Sequence, residues 1–87
     1  MTLLKDLGTR EKVIGAKQSR RAIRSGLAGE VFLASDADPH LTAPLLELCR
    51  QTHTPVTAGC SMRQLGQAAG IQVGAAVVTL LRTPETP

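Results

Sequence analysis

Phe32 is the only aromatic residue in the chain. Proteins that hold unpaired bases by stacking them on rings need a row of such side chains, so the sheet-face single-strand RNA binders are excluded. Cys49 and Cys60 are the only thiols. Two are too few for a disulfide framework, and both read as small core residues. No run of about 18 apolar residues is present to cross a bilayer, and Lys5 and Asp6 fall where a signal peptide needs apolar residues. The expectation is a cytoplasmic protein without membrane attachment. At 87 residues there is room for one small domain and none for a two-domain enzyme. Hydrophobic residues make up 43% and charged residues 20%, a balance that supports a packed core and excludes a disordered tail.

Charge is what the chain has in one place. Between residues 5 and 24, Lys5, Arg10, Lys12, Lys17, Arg20, Arg21 and Arg24 face only Asp6 and Glu11, a net +5. Elsewhere Arg50, Arg63 and Arg82 meet Glu30, Asp36, Asp38, Glu47 and Glu85, a net −2. A basic third on a faintly acidic body points to a localised anionic partner, although a solvated charged face accounts equally well for the charge alone.

Helical and strand patterns alternate along the chain. Ala16 to Ser25 reads as a helix with Ser19, Ala22 and Ile23 on one side and Gly26 ending it. Lys17, Arg20, Arg21 and Arg24 recur at i, i+3, i+4 and i+7, forming a stripe of one sign that repels itself unless something anionic compensates. Val31 to Ala34 fits a buried strand. Asp38 and Pro39 then read as the cap and first residue of a helix that carries Leu41, Leu45, Leu48 and Cys49 on one face and reaches Thr52. Thr54 to Ala58 reads as a strand, and Ser61 to Gln64 as a capping box opening a helix to Ala69. Val73 to Leu81 is an apolar, β-branched run, and residues 83–87 read as a loose tail beyond a single domain spanning 1–82. The expected architecture is an α/β sandwich with helices covering a small central sheet.

Three kinds of chemistry compete for these residues. Cys49 and His53 lie four apart, with His40 and Cys60 elsewhere, but without a Cys-x-x-Cys pair a metal site is weakly signalled and a structural reading is favoured. Asp36 and Asp38 follow a strand, where α/β sheets bind ligands, and could serve a phosphoryl-transfer or nucleotide-binding domain. Asp38 is already explained as a cap and Asp36 as a turn residue, with no His or Lys nearby in sequence to complete a catalytic set. No Gly-rich phosphate loop is present, and most glycines read as caps and turns. Gly15 differs, because it precedes Ala16, Lys17 and Gln18 and sets the free amides of a helix start beside groups able to read base edges, with cations for phosphates behind them.

The runs 12–23 (KVIGAKQSRRAI), 34–39 (ASDADP) and 65–76 (LGQAAGIQVGAA) together resemble the kink-turn RNA-binding family of ribosomal protein L7Ae, above all its small bacterial members of the YbxF type. The likeness covers nearly the whole chain in order. It implies a three-layer α-β-α sandwich around a four-stranded mixed sheet, no catalysis and no cofactor. It also implies that Gly15, Lys17 and Gln18 meet the sheared guanine-adenine pairs of the kink, with Arg21 the basic residue three positions on. Ile71, Gln72, Val73 and Gly74 map onto the loop that covers the bulged nucleotides. Many archaeal and eukaryotic members carry Asn at the position of Lys17 and an acid at those of Gln18 and Gln72; the bacterial pattern covers Lys17 and Gln18. Arg20 and Arg24 fall outside the family's base-reading residues and are assigned to phosphates. The implied partner is a kink-turn in ribosomal or other non-coding RNA, not DNA, bound by a monomer.

Overall fold

The computed structural model describes residues 11–82; the tail expected at 83–87 lies outside them. Among the described residues the elements are β1 (Lys12–Ile14), α1 (Ala16–Arg24), β2 (Ala28–Ala34), α2 (Pro39–Thr52), β3 (Val56–Cys60), α3 (Met62–Ala69) and β4 (Val77–Leu81). The strands form one mixed sheet in the order β1-β4-β2-β3. β4 is antiparallel to both β1 and β2, and β3 runs parallel to β2.

Alternation along the central strands divides the core into two layers. Val31, Leu33 and Val77 pack with Ala22 and Ile23 of α1 and Leu45 and Cys49 of α2. Phe32, Ala34, Val78 and Leu80 pack on the other face with Leu65 and Ala69 of α3. The expected α-β-α sandwich is therefore what the chain forms, two helices on one face and one on the other. β2 is covered on both sides, which is why Val31–Ala34 are consecutively apolar. None of the described helices is long and apolar enough to cross a membrane.

The strand limits differ from the sequence pattern in instructive ways. β2 begins three residues earlier than its apolar run, because Ala28 and Glu30 pair with Leu81 and Leu80 across a register shift at Gly29. Thr57 also donates its hydroxyl to the Glu30 carboxylate, holding that acid in the sheet. β3 starts at Val56 and not Thr54, since pairing with β2 begins at Val31 opposite Val56. β4 starts at Val77, four residues after the apolar run begins, because the chain from Ile71 to Ala75 is hydrogen-bonded to α3 instead. β1 has three residues and carries no periodicity a reader could use.

The helix ends follow the expected side-chain chemistry. Asp38 accepts from the His40 amide at 2.9 Å, with Pro39 at the first position of α2. Ser61 and Gln64 complete a reciprocal capping box at α3. α2 ends on His53 at φ 56 and ψ 39, a left-handed conformation that costs a residue with a Cβ. His53 is exposed, so His53→Gly should relieve that strain without losing a contact and stabilise the fold by about 0.5–1 kcal/mol. Thermal unfolding should then show a midpoint raised by a few degrees, roughly 4–8 °C per kcal/mol for a domain of this size. An unchanged or lower midpoint would mean that the flexibility glycine adds to the unfolded chain cancels the gain.

Candidate nucleic-acid interface

α1 starts without a side-chain cap. Gly15 occupies the N-cap with φ 104 and ψ 157, a conformation that L-residues avoid. Its carbonyl accepts from Ser19 at 3.0 Å, so the amides of Ala16, Lys17 and Gln18 have no acceptor within the helix. A Cβ on Gly15 would meet nothing within 4 Å. Backbone conformation and not crowding therefore requires glycine here, and Gly15→Leu would strain the fold as well as obstruct whatever approaches. No acid lies in the first turn, while Arg21 and Arg24 occupy the last, where they suit the helix dipole.

Lys17, Gln18, Arg20, Arg21 and Arg24 are all exposed. None of the four cations forms an ion pair with another described residue, so the stripe is uncompensated within the described protein. It divides into two edges. Lys17, Arg20, Arg21 and Arg24 line a hollow of about 250 Å3 with Ser25. Arg20 and Arg24 also border a groove of about 440 Å3 between α1 and α2, whose far wall is Pro44, Glu47, Leu48 and Gln51. Arg24 stands two turns along the helix from Lys17, about 12 Å from the helix start at Ala16.

The second predicted region lies at the same end of the sheet as the start of α1. The Gly15 amide donates to the Val77 carbonyl at 3.0 Å, and Val77 is the first residue of β4 after the 71–76 loop. Within that loop Ile71 is half-buried against the Phe32 and Leu65 cluster. Gln72 and Gly74 are exposed, and Val73 is 70% exposed, the most exposed large apolar residue described. Val73 thus stands clear of the strand and offers an apolar surface. Through the Gly15–Val77 hydrogen bond the start of α1 adjoins the strand that follows the 71–76 loop, and Arg20, Arg21 and Arg24 lie further along α1.

Two side chains read from sequence as possible acids have other employment. Asp38 caps α2, and Asp36 accepts from the Met62 amide at 2.8 Å, across 26 residues, at the start of α3. The candidate metal residues do not assemble: no group of three or more potential ligands exists among the described residues. Cys49 is buried, and desolvation raises its thiol pKa. Cys60 packs half-buried at the margin of the other core layer.

What the sequence reading missed is how the loop is held. Gly66, placed by the sequence within the helix that runs to Ala69 but given no role of its own, is buried inside α3. A Cβ there would overlap the Val73 carbonyl oxygen and stand 3.1 Å from the Gly74 Cα. The Ile71 amide donates to the Gly66 carbonyl at 3.0 Å and the Ala75 amide to the Met62 carbonyl at 2.9 Å. A glycine inside an otherwise regular helical pattern was the available signal, since it costs about 1 kcal/mol relative to alanine unless packing needs it.

Comparison with known proteins identifies relatives of the chain by sequence and by fold. Residues 2–86 match the family described as Ribosomal protein L7Ae/L30e/S12e/Gadd45. An RNA-binding protein of Geobacillus sp. (strain WCH70) is 43% identical over 82 residues, covering 94% of this chain and 100% of the relative. The RNA-binding protein YbxF of Geobacillus stearothermophilus is 46% identical over 70 residues, 80% of this chain and 85% of that one. Among solved structures, a Bacillus halodurans C protein of unknown function superposes with a TM-score of 0.83 at 28% identity, covering 92% of this chain and 84% of its own. A Giardia lamblia 15.5kD RNA binding protein shares the fold at a TM-score of 0.83 and 24% identity, over 93% of this chain and 69% of that one.

Proposed function

The chain belongs to the ribosomal protein L7Ae/L30e/S12e/Gadd45 family, and from that membership we propose that it recognises and stabilises kink-turn RNA. It is an RNA-binding protein and not an enzyme, as its family and the names of its relatives indicate. The observation that carries the finer reading is an uncapped helix start, with Lys17 and Gln18 exposed, bonded at Gly15 to the strand that follows the apolar loop at Val73 and heading a basic stripe that has no ion pair among the described residues.

Straight A-form RNA hides its major-groove base edges in a groove too deep and narrow for side chains, whereas a sharp bend at a bulge opens it. The start of α1 then enters, with Gly15 allowing close backbone approach and Lys17 and Gln18 meeting the guanine-adenine pairs. Ile71, Gln72, Val73 and Gly74 cover the bulged nucleotides. Arg20, Arg21 and Arg24 hold phosphates, which fix position without reading sequence. Because only the kinked form fits both regions, binding shifts the RNA toward that form. Contacts of this kind need no aromatic platform, in keeping with Phe32 being buried. The reading is of a cytoplasmic monomer acting on ribosomal or other non-coding RNA. The phosphoryl-transfer alternative has no free carboxylate pair to rest on, since Asp36 and Asp38 both serve as helix caps.

The test compares an RNA holding a three-nucleotide bulge and tandem guanine-adenine pairs with the same duplex made fully Watson–Crick. The protein should bind the first more tightly by at least about tenfold, the lower end of what one well-made base contact supplies. Dyes on the two stems should report closure of the bend on binding. Equal affinity for both RNAs would overturn the kink-turn reading.

A further inference from the structure

We propose that Asp36 is a positioning residue for the bulge-covering loop, acting through α3 rather than through any contact with RNA. The proposal rests on the reading of residues 71–74 as an RNA contact.

The loop and α3 behave geometrically as one piece. The Ile71 amide is bonded to Gly66, the Ala75 amide to Met62, and Gly74 lies so close that a Cβ on it would stand 3.2 Å from that of Met62. Gly66 leaves no gap between helix and loop. Wherever the first turn of α3 goes, residues 71–75 therefore follow.

What fixes that first turn to the sheet is the segment after β2. The Ala34 amide donates to Ala76 at 2.9 Å, and the Ser35 amide donates to Cys60 at 2.8 Å. These backbone bonds hold the chain at either end of α3, and Leu65 and Ala69 seat the helix in the core layer, but none of these contacts reaches the backbone of its first turn. Among the described residues, Asp36 is the only side chain outside 61–76 that hydrogen-bonds into it, through the Met62 amide at 2.8 Å. Met62 is the residue whose carbonyl holds Ala75. One carboxylate oxygen thus stands one residue away from the anchor of the loop. Its charge also suits the positive end of α3, a favourable arrangement absent from the first turn itself, which has no acid.

Asp36→Ala should release this tie and Asp36→Asn should keep it, because the amide oxygen still accepts from Met62. In the free protein, hydrogen exchange at the Ile71 and Ala75 amides should quicken about tenfold in Asp36→Ala, the value of one charge-assisted hydrogen bond to a partly exposed group. Exchange at the central β2 and β4 amides should be unchanged. Affinity for the bulged RNA should fall by about the same factor while affinity for the straight duplex stays. Asp36→Asn, which keeps the acceptor but not the charge, should stay closer to the parent than Asp36→Ala in both. A merely structural Asp36 would speed exchange everywhere, or weaken both RNAs alike, and either result overturns the proposal. So does unchanged exchange at Ile71 and Ala75. If Asp36→Ala does not fold, Asp36→Glu, which displaces the carboxylate by one methylene, supplies the same comparison. Should the parent protein fail to distinguish the two RNAs, the kink-turn reading falls, and the exchange rates still decide whether Asp36 holds the loop.

Discussion

Gly66→Ala should destabilise the protein even though glycine-to-alanine changes inside helices ordinarily stabilise. The helix-propensity gain is about 1 kcal/mol. Against it stands the new methyl group, which would overlap the carbonyl oxygen of Val73 and approach its carbon to 3.0 Å. These are backbone atoms of a segment pinned on both sides, at Ile71 and Ala75, so no flexible side chain can swing away. Either α3 lifts from the sheet residues Phe32, Val78 and Leu80, or the loop leaves α3 and gives up its two hydrogen bonds. Overpacking of this severity costs roughly 1–3 kcal/mol or more, so the net effect is a loss. The thermal midpoint should fall by several degrees, at about 4–8 °C per kcal/mol. Affinity for bulged RNA should fall further than stability alone explains, because the displaced atoms belong to Val73 and Gly74. A Gly66→Ala protein with an unchanged or raised midpoint would show that α3 and the loop are not in close contact.

Gly66 also marks where sequence reasoning reached its limit. The helices were legible because their signals are local: Asp38-Pro39 and Ser61 with Gln64 satisfy amides within a few residues, and the structure shows each cap. The central strand was legible from consecutive apolar residues, which only burial on both faces explains. β1 and the start of β4 were not, since pairing across the sheet and not composition sets their limits. In the candidate site, the exposed stripe on α1 followed from spacing alone, as every helix must place i, i+3, i+4 and i+7 together. The tie from Asp36 to Met62 did not follow, because a hydrogen bond spanning 26 residues depends on the whole fold. For the same reason Asp36 read as a turn residue, and the contact of Gly66 with the loop was not legible either, since it depends on how 71–75 folds back on α3.

Within α1, base-reading and phosphate-holding residues should separate by their response to salt. Gln18 stands in the first turn, beside the uncapped start and the Val77 end of β4; Arg24 stands in the last, on the groove shared with α2. A phosphate contact releases condensed counterions, so Arg24→Ala should weaken binding to every RNA alike and reduce the slope of log affinity against log salt by roughly one unit. A base-edge contact releases few ions. Gln18→Ala should therefore cost roughly 1–3 kcal/mol, between about tenfold and a hundredfold, against RNA with intact guanine-adenine pairs. It should barely change binding to the Watson–Crick duplex, and the salt slope should stay. The measurement is a salt titration of both variants against both RNAs, with the two effects expected to add because the residues share no partner. Should both variants instead lose equal affinity for both RNAs with equal changes of slope, α1 would be a basic surface that attracts RNA without reading its shape.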